Sequence, residues 1–225
     1  MSNPRMIDLS YPITSDMLVY PGTERPTFQW IGRVNSEGYN LTRMTMLVHT
    51  GTHVDAPMHF VDGVKAIDEM PLESFFGPCK LFRCLDQPNS QEIDLQTIQR
   101  SGFDLDEGDI FVLSTGIANY ADTRDYNYLY PYPSKDLLEW LIGKRIKAYM
   151  TDATSIDPVS EKESSRHKLL FNAGIPIVEN LCNLNELPGD RHFIVSALPL
   201  KLRGREGSPC RAIALPDVEY LGQGK

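Results

Sequence analysis

Residues 49–59 read His49-Thr50-Gly51-Thr52-His53-Val54-Asp55-Ala56-Pro57-Met58-His59. This stretch holds three of the five histidines in the chain together with one carboxylate, and all four groups fall on odd positions. Imidazole and carboxylate donors suit zinc, manganese or ferrous iron. Four such donors within so short a stretch predict a metal site.

The backbone between these donors has to bend. A helix would place His49 and His53 on one face, but Gly51, Val54 and Pro57 all disfavour a helix. An extended strand would set the α-carbons of the two histidines about 13 Å apart, whereas metal ligands lie about 2–2.2 Å from their ion. We therefore predict that Gly51 takes unusual dihedral angles, and that the end of a strand curls into a loop around the metal.

Composition limits the class of protein. The chain has 225 residues, which is enough for one large domain with a substantial core. Its formal net charge of −8 and sequence pI near 5.1 argue against a nucleic-acid or anionic-membrane surface. No apolar run reaches about 18 residues, the first residues lack a signal-peptide core, and the cysteine spacing predicts reduced thiols. These features predict a cytoplasmic protein without a membrane or nucleic-acid partner.

Hydrophobic patterning predicts the elements that carry further polar groups. Residues 39–48 predict a buried strand that leads into the metal stretch. Residues 164–174 have the serine cap, short amphipathic run and glycine stop of a helix. Residues 175–179 predict a buried strand ending in Glu179, which is costly to bury unless it is paired or metal-bound, although it could instead cap the residues that follow. Residues 204–209 predict a flexible loop.

The chain shows no repeats, low-complexity tracts or linkers, so we predict one domain over residues 1–225. Predicted strands outnumber helices, which favours the α/β or α+β class. Tyr20 precedes the Pro21-Gly22 turn and is either a buried anchor or part of a pocket wall. His192 lies in a polar turn, where we expect it to be exposed to solvent.

The stretch of residues 49–59 resembles the signature of the cyclase-type metal-dependent hydrolases, which include bacterial kynurenine formamidases and isatin hydrolases. Other segments that fit this family are Asp8-Leu9-Ser10, Tyr20-Pro21-Gly22, Gly108-Asp109, Thr115-Gly116, residues 174–181 and Gly207-Ser208-Pro209 with Arg211-Ala212. The resemblance implies an α/β fold of the swivelling β/β/α type, in which helices flank a barrel-like mixed β-sheet. It also implies a homodimer or homotetramer.

The resemblance further implies a set of metal ligands. His49, His53 and Asp55 would bind one divalent ion. Asp55 would bridge to a second ion, completed by His167 and by Glu179 twelve residues later. Zinc is the expected metal, with manganese as the alternative, at one or two ions per chain.

Function follows from these roles. The resemblance gives His59 the role of acid and base, and it places Tyr20 in the pocket wall, where formamidases of the kynurenine pathway tend to carry tryptophan. We predict a hydrolase that cleaves the C–N bond of a small amide, formamide or lactam with metal-activated water. Two alternatives remain, namely a lyase or cyclase in which His59 moves a proton from carbon, and a metal-binding module without catalysis.

Overall fold

The computed structural model describes residues 5–84, 90–189 and 191–218, and a curled mixed β-sheet lies at its centre. The strands are β1 (Ile7–Asp8), β2 (Thr27–Gly32), β3 (Leu41–Thr45), β4 (His53–Asp55), β5 (Phe76–Arg83), β6 (Glu92–Ile93), β7 (Ile110–Ser114), β8 (Tyr132–Pro133), β9 (Tyr149–Thr151), β10 (Ile177–Glu179), β11 (Phe193–Ser196), β12 (Gly207–Pro209) and β13 (Ile213–Leu215). The α-helices are α1 (Val34–Glu37), α2 (Leu95–Arg100), α3 (Lys135–Gly143) and α4 (Ser165–Asn172). Short 3-10 turns include Pro57–His59 and Leu72–Ser74.

Nine of the described strands form the main sheet, in the order β1-β13-β11-β5-β7-β9-β10-β4-β12. Its central strands β5, β7, β9 and β10 run parallel, and the strands outside them pair antiparallel. Strands β2 and β3 form a separate hairpin, and β6 pairs with β8. The fold is thus a mixed α/β arrangement around a curled sheet, as the sequence predicted.

The two faces of the sheet feed two apolar cores. Along β7, Ile110 and Val112 point to the inner core, and Phe111 and Leu113 point to the core beneath the helices. This alternation is the period of two that a strand imposes. The helix-side core includes Leu137 of α3 together with residues of α2 and α4, so these helices cover one face of the sheet.

Helix α4 begins at Ser165 as expected, but its predicted serine cap is wrong. Ser164 has a φ of 50° and its side chain caps nothing. Asp157 accepts hydrogen bonds from the backbone N–H groups of Arg166 (2.9 Å) and His167 (3.2 Å). The first N–H groups of a helix need such acceptors, and a carboxylate also suits the positive end of the helix dipole.

Two other expectations are corrected by the structure. The strand predicted over residues 39–48 exists as β3, but all five of its residues are exposed. Within the loop predicted over residues 204–209, Gly207–Pro209 is a buried strand, β12, that pairs with β4. No helix in the described residues is long and apolar enough to cross a membrane.

Candidate metal centre

Strands β4 and β10 bring three candidate ligands to one face of the sheet. His53 lies opposite Glu179 in the antiparallel register, and Asp55 lies two residues after His53. Val54 between them points to the inner core, so His53 and Asp55 face the helix side. All three ligand side chains are buried.

His49 reaches the same face from the turn before β4. Gly51 has a φ of +64°, which confirms the predicted bend. A neighbouring glycine, Gly207 of β12, makes room for the imidazole, because a Cβ there would lie 2.7 Å from Cε1 of His49. The Nδ1 atom of His49 lies 2.6 Å from Oδ1 of Asp55.

Helix α4 supplies His167 from above the sheet. Its Nε2 atom lies 3.3 Å from Oε1 of Glu179 and 3.7 Å from Oδ2 of Asp55. Its Nδ1 atom lies 2.6 Å from Oδ2 of Asp157. The residue that caps α4 therefore also orients the ring and directs Nε2 towards the carboxylates.

Asp55 is the centre of the cluster. Its Oδ1 atom faces Nδ1 of His49 and Nε2 of His53, which lies 3.1 Å away, and its Oδ2 atom faces His167. The Nε2 atom of His53 also lies 3.7 Å from Oε2 of Glu179. Donors about 2.1 Å from a tetrahedral zinc lie about 3.4 Å from one another. The separations of 3.1–3.7 Å among the donors of His53, Asp55, His167 and Glu179 fit that spacing. The Nδ1 atom of His49 is closer to Asp55, at a hydrogen-bond distance of 2.6 Å.

Hydrogen bonding leaves bare donor atoms inside the cluster. The Nδ1 atom of His53 lies 2.8 Å from the carbonyl oxygen of Gly51 and donates to it in the tautomer that leaves Nε2 free. Oε1 of Glu179 and Nε2 of His49 are buried and make no hydrogen bond within the described chain. Buried polar atoms without a partner are costly. A histidine that binds a metal through one ring nitrogen commonly donates a hydrogen bond from the other, as Nδ1 of His53 does to Gly51. The donor set therefore fits a divalent cation.

The pKa values point to the same conclusion. Burial lowers the pKa of His53, but the charges of Asp55 and Glu179 outweigh it and raise that pKa to about 9. Burial and repulsion from Asp55 raise the pKa of Glu179. Burial opposes a charge on His167, yet its hydrogen bonds to carboxylates hold its pKa well above the usual value. The carboxylates thus favour positive charge at the two imidazoles, and a bound cation would supply that charge.

His59 lies at the edge of this cluster and is not paired with its carboxylates. Its ring stacks on His49 with centroids 4.0 Å apart and also contacts Phe60 at 4.1 Å. Burial lowers the pKa of His59 to about 4, so the ring is neutral at pH 7. By distance alone, His59 could also join His49 and Asp55 around an ion, and His53 could join Asp55 and Glu179.

A cavity of about 740 Å³ opens onto these donors, and Tyr20 lines it. Tyr20 is 42% exposed and lies in a turn closed by the hydrogen bond from Thr23 N to Tyr20 O (3.0 Å). Burial and the nearby charge of Glu179 raise the pKa of Tyr20. The tyrosine is therefore part of the cavity wall and not a core anchor.

The structure brings together all the site residues that the sequence indicated, and it excludes His192. That side chain is half-buried, contrary to expectation, because its Nε2 atom lies 2.7 Å from Oδ2 of Asp109 at the opposite end of the sheet. Sequence reasoning missed Asp157 and Gly207. For Gly207, the only signal in the sequence was the match of Gly207-Ser208-Pro209 to the family.

Known proteins resemble this chain over most of its length. The family model named Cyclase matches residues 7–158. Kynurenine formamidase from Bacillus mycoides (strain KBAB4) is 31% identical over 218 residues, which cover 96% of this chain and 100% of the relative. Isatin hydrolase A from Labrenzia aggregata has a TM-score of 0.82 at 25% identity and covers 93% of each chain. A predicted metal-dependent hydrolase from Bacillus stearothermophilus has a TM-score of 0.78 at 30% identity, over 95% of this chain and 98% of the other. The chain belongs to the cyclase family.

Proposed function

We propose that this chain hydrolyses the C–N bond of a small aryl formamide or lactam at a centre of two divalent ions, with zinc preferred and manganese as the alternative. The likeness to kynurenine formamidase and isatin hydrolase makes it a metal-dependent hydrolase of amide bonds. The observation that carries the two-ion proposal is the position of Asp55, whose two carboxylate oxygens face different donors.

The donors that face the two oxygens of Asp55 form two groups, and each group would hold one ion. His49 and His53, which face Oδ1 of Asp55, would hold one ion. His167, which faces Oδ2, would hold the other together with Glu179. When bound, such ions lower the pKa of water and polarise a carbonyl oxygen.

The remaining steps belong to side chains. His59 takes up a proton as water attacks the carbonyl carbon, and it delivers that proton to the leaving nitrogen as the C–N bond breaks. A neutral imidazole is the form that accepts a proton, and its place against His49 puts it next to the reacting atoms. Asp157 keeps His167 in the orientation that binding needs.

The cavity lining favours substrates without a negative charge. Its described lining residues include Leu18, Leu47, Phe60 and Tyr20, and none of them is lysine or arginine. We expect N-formylkynurenine to have a kcat/KM at least about tenfold below that of 2′-formamidoacetophenone, which lacks the amino-acid group. The carboxylate of that group would meet no lysine or arginine in the lining, and an unpaired buried charge costs about 1–3 kcal/mol or more. Steady-state kinetics on this pair checks the prediction, and a preference for N-formylkynurenine would contradict it.

Replacing Tyr20 with alanine should change KM or substrate preference at little cost in stability. The ring lines the cavity and is already 42% exposed, so the loss should stay well below the about 3–5 kcal/mol of a buried aromatic truncation. Tyr128→Ala is the matched control, since Tyr128 is also 42% exposed but does not line the cavity. Urea unfolding and steady-state kinetics on both variants test this prediction. Strong destabilisation of Tyr20→Ala with unchanged kinetics would instead make Tyr20 a buried anchor.

The function itself is tested on protein stripped of metal and reloaded with zinc or manganese. We expect hydrolysis of formanilide and isatin only after reloading, with zinc at least as effective as manganese. Reloaded protein that is inert towards amides, esters and lactones would instead be a binding module. Dehydration without hydrolysis would make it a lyase.

We also propose that residues 1–225 form one domain and that the chain assembles as a homodimer or homotetramer. The isatin hydrolase likeness over 93% of both chains supports the domain. Support for the assembly comes from the hairpin of β2 and β3, in which every strand residue except Gly32 is exposed.

A further inference from the structure

The side chain of Arg166 is a buried charge that the proposed mechanism does not use. It is the second residue of α4, directly before His167, and it is 6% exposed. Arginine is almost never buried this deeply unless its N–H groups are paired. The Nε atom donates to the carbonyl oxygen of Pro133 (2.6 Å), Nη1 donates to Oε2 of Glu161 (2.6 Å) and Nη2 donates to Oε1 of Glu92 (2.5 Å). All three nitrogens of the guanidinium are therefore held.

These contacts tie helix α4 to two other parts of the chain. Glu92 and Pro133 belong to β6 and β8, which form a small two-stranded sheet. The guanidinium carbon also lies 4.7 Å from the ring centroid of Tyr132 in β8. Glu161, in contrast, belongs to a segment that lines the cavity in front of the metal centre. Arg166 thus joins α4 both to the small sheet and to the cavity wall.

The same guanidinium faces the carboxylates at the start of the helix. Oε1 of Glu161 accepts a hydrogen bond from the backbone N–H of Ser165 (2.8 Å). Asp157 accepts the hydrogen bonds of the next two backbone N–H groups, so the first three N–H groups of α4 end on two carboxylates. Nη1 of Arg166 lies 2.6 Å from Oε2 of Glu161 and 3.6 Å from Oδ1 of Asp157. One cation therefore keeps these two like charges side by side.

Asp157 connects this arrangement to a candidate metal ligand. Its Oδ1 atom faces Arg166, and its Oδ2 atom lies 2.6 Å from Nδ1 of His167. The rotation of the carboxylate is thus fixed from both sides, and with it the ring whose Nε2 atom faces Glu179. In the part of the chain that the structure describes, Arg166 makes no hydrogen bond or ion pair with β4. Its influence is therefore expected at the ligand on α4 and not at those on β4.

We propose that Arg166 is a positioning residue, which holds Asp157 and Glu161 so that His167 can bind its ion together with Glu179. The proposal rests on the two-ion centre of the proposed function and adds the side chain that orients one half of it. The shape of the guanidinium matters here beyond its charge, because it presents its N–H groups in a rigid fork. The ammonium group of lysine carries the same charge at a single point and could not span the three acceptors.

Arg166→Lys tests this role, because it removes the fork and keeps the charge that acts on a bound cation. Zinc titration against a competing chelator should show one of the two ions bound about tenfold more weakly, the lower end of the about 10–100-fold that the loss of an outer hydrogen-bond partner costs. The affected ion is identified in the Glu179→Ala background, which should keep only the other ion. In that background Arg166→Lys should leave zinc affinity unchanged, since both substitutions act on the same ion.

Arg83→Lys is the matched control for a general loss of structure. Arg83 donates to the carbonyl oxygens of Leu184 (2.9 Å) and Leu187 (2.5 Å), and it is not among the described residues that line the cavity. Urea unfolding of the metal-free proteins should show a loss of stability in both lysine variants, but only Arg166→Lys should lose zinc affinity. If Arg166→Lys does not fold, Glu92→Ala takes its place, because the side chain of Glu92 is 48% exposed and its removal frees Nη2 of Arg166. Glu92→Ala should weaken the same ion by a smaller factor.

Cobalt(II) gives a spectroscopic reading of the same site, because its visible absorption depends on ligand geometry. The spectrum of the fully loaded protein should change in Arg166→Lys and stay that of wild type in Arg83→Lys. Wild-type affinity for both ions in Arg166→Lys, or in Glu92→Ala where it replaces that variant, would overturn the proposal, as would equal weakening of both ions. Either result would leave the two-ion centre standing. A wild-type chain that binds a single zinc ion would overturn the two-ion centre together with the proposal.

Discussion

The variant His59→Ala is expected to lose about 10²–10⁴-fold in turnover, the usual scale for a proton-transfer group, while it keeps its metal. His59 stacks on His49 and makes no hydrogen bond or ion pair with Asp55 in the described part of the chain, so Asp55 retains its other donors without it. Single-turnover kinetics with elemental analysis of the same sample measures both quantities.

His192→Ala is the control for this variant, because His192 pairs with Asp109 at the other end of the sheet. It should keep both metal and turnover. Normal turnover of His59→Ala would assign the proton transfer to another group. Loss of an ion from His59→Ala would make His59 a ligand, as its distance to His49 and Asp55 allows.

The second large effect is expected for Asp55→Ala, which should lose both ions, whereas Glu179→Ala should lose one. Asp55 faces three histidines, His49 and His53 through Oδ1 and His167 through Oδ2, whereas Glu179 faces His53 and His167. An ion present at a hundred times its Kd stabilises the native state by about 2.7 kcal/mol. Asp55→Ala should therefore forfeit up to about 5 kcal/mol of metal-dependent stability, and Glu179→Ala about half of that.

Metal titration with thermal unfolding, each with and without chelator, separates these variants. Asp152→Asn is the control, because Asp152 is equally buried but accepts hydrogen bonds from Thr115 and Gly116 and faces no histidine. It should lose stability yet bind two ions. If wild type and Glu179→Ala both bind one ion with equal affinity, the centre is mononuclear and Glu179 is structural.

The local chemistry of the metal stretch was predictable because it is written in consecutive residues. Gly51 was identified as the bend from the conflict between strand length and ligand distance, and its φ of +64° confirms it. The amphipathic pattern placed His167 on a helix and Glu179 at the end of a buried strand. Their convergence on Asp55 required the family resemblance, since no spacing reveals a pairing of β4 with β10.

The rest depended on tertiary contacts that leave no periodic signal. Asp157 lies ten residues before His167 and meets it only because the chain folds back to cap α4. Gly207 matters through a close approach to His49, which is distant in sequence. Residues 39–48 are apolar enough to predict burial, yet the structure exposes β3. An apolar pattern predicts that side chains are buried, but it does not show whether they are buried within the same chain.

The nine-stranded sheet ends in two very short strands, and this limits how copies of the chain can associate. At one edge β1 has two residues, and at the other β12 has three and includes Pro209. A short strand offers few unpaired amides to a neighbour, and proline offers none, so neither edge is a good template for strand addition. Sheets of neighbouring molecules are therefore not expected to join into a continuous ribbon, and a crowded solution of the folded protein should resist fibril formation.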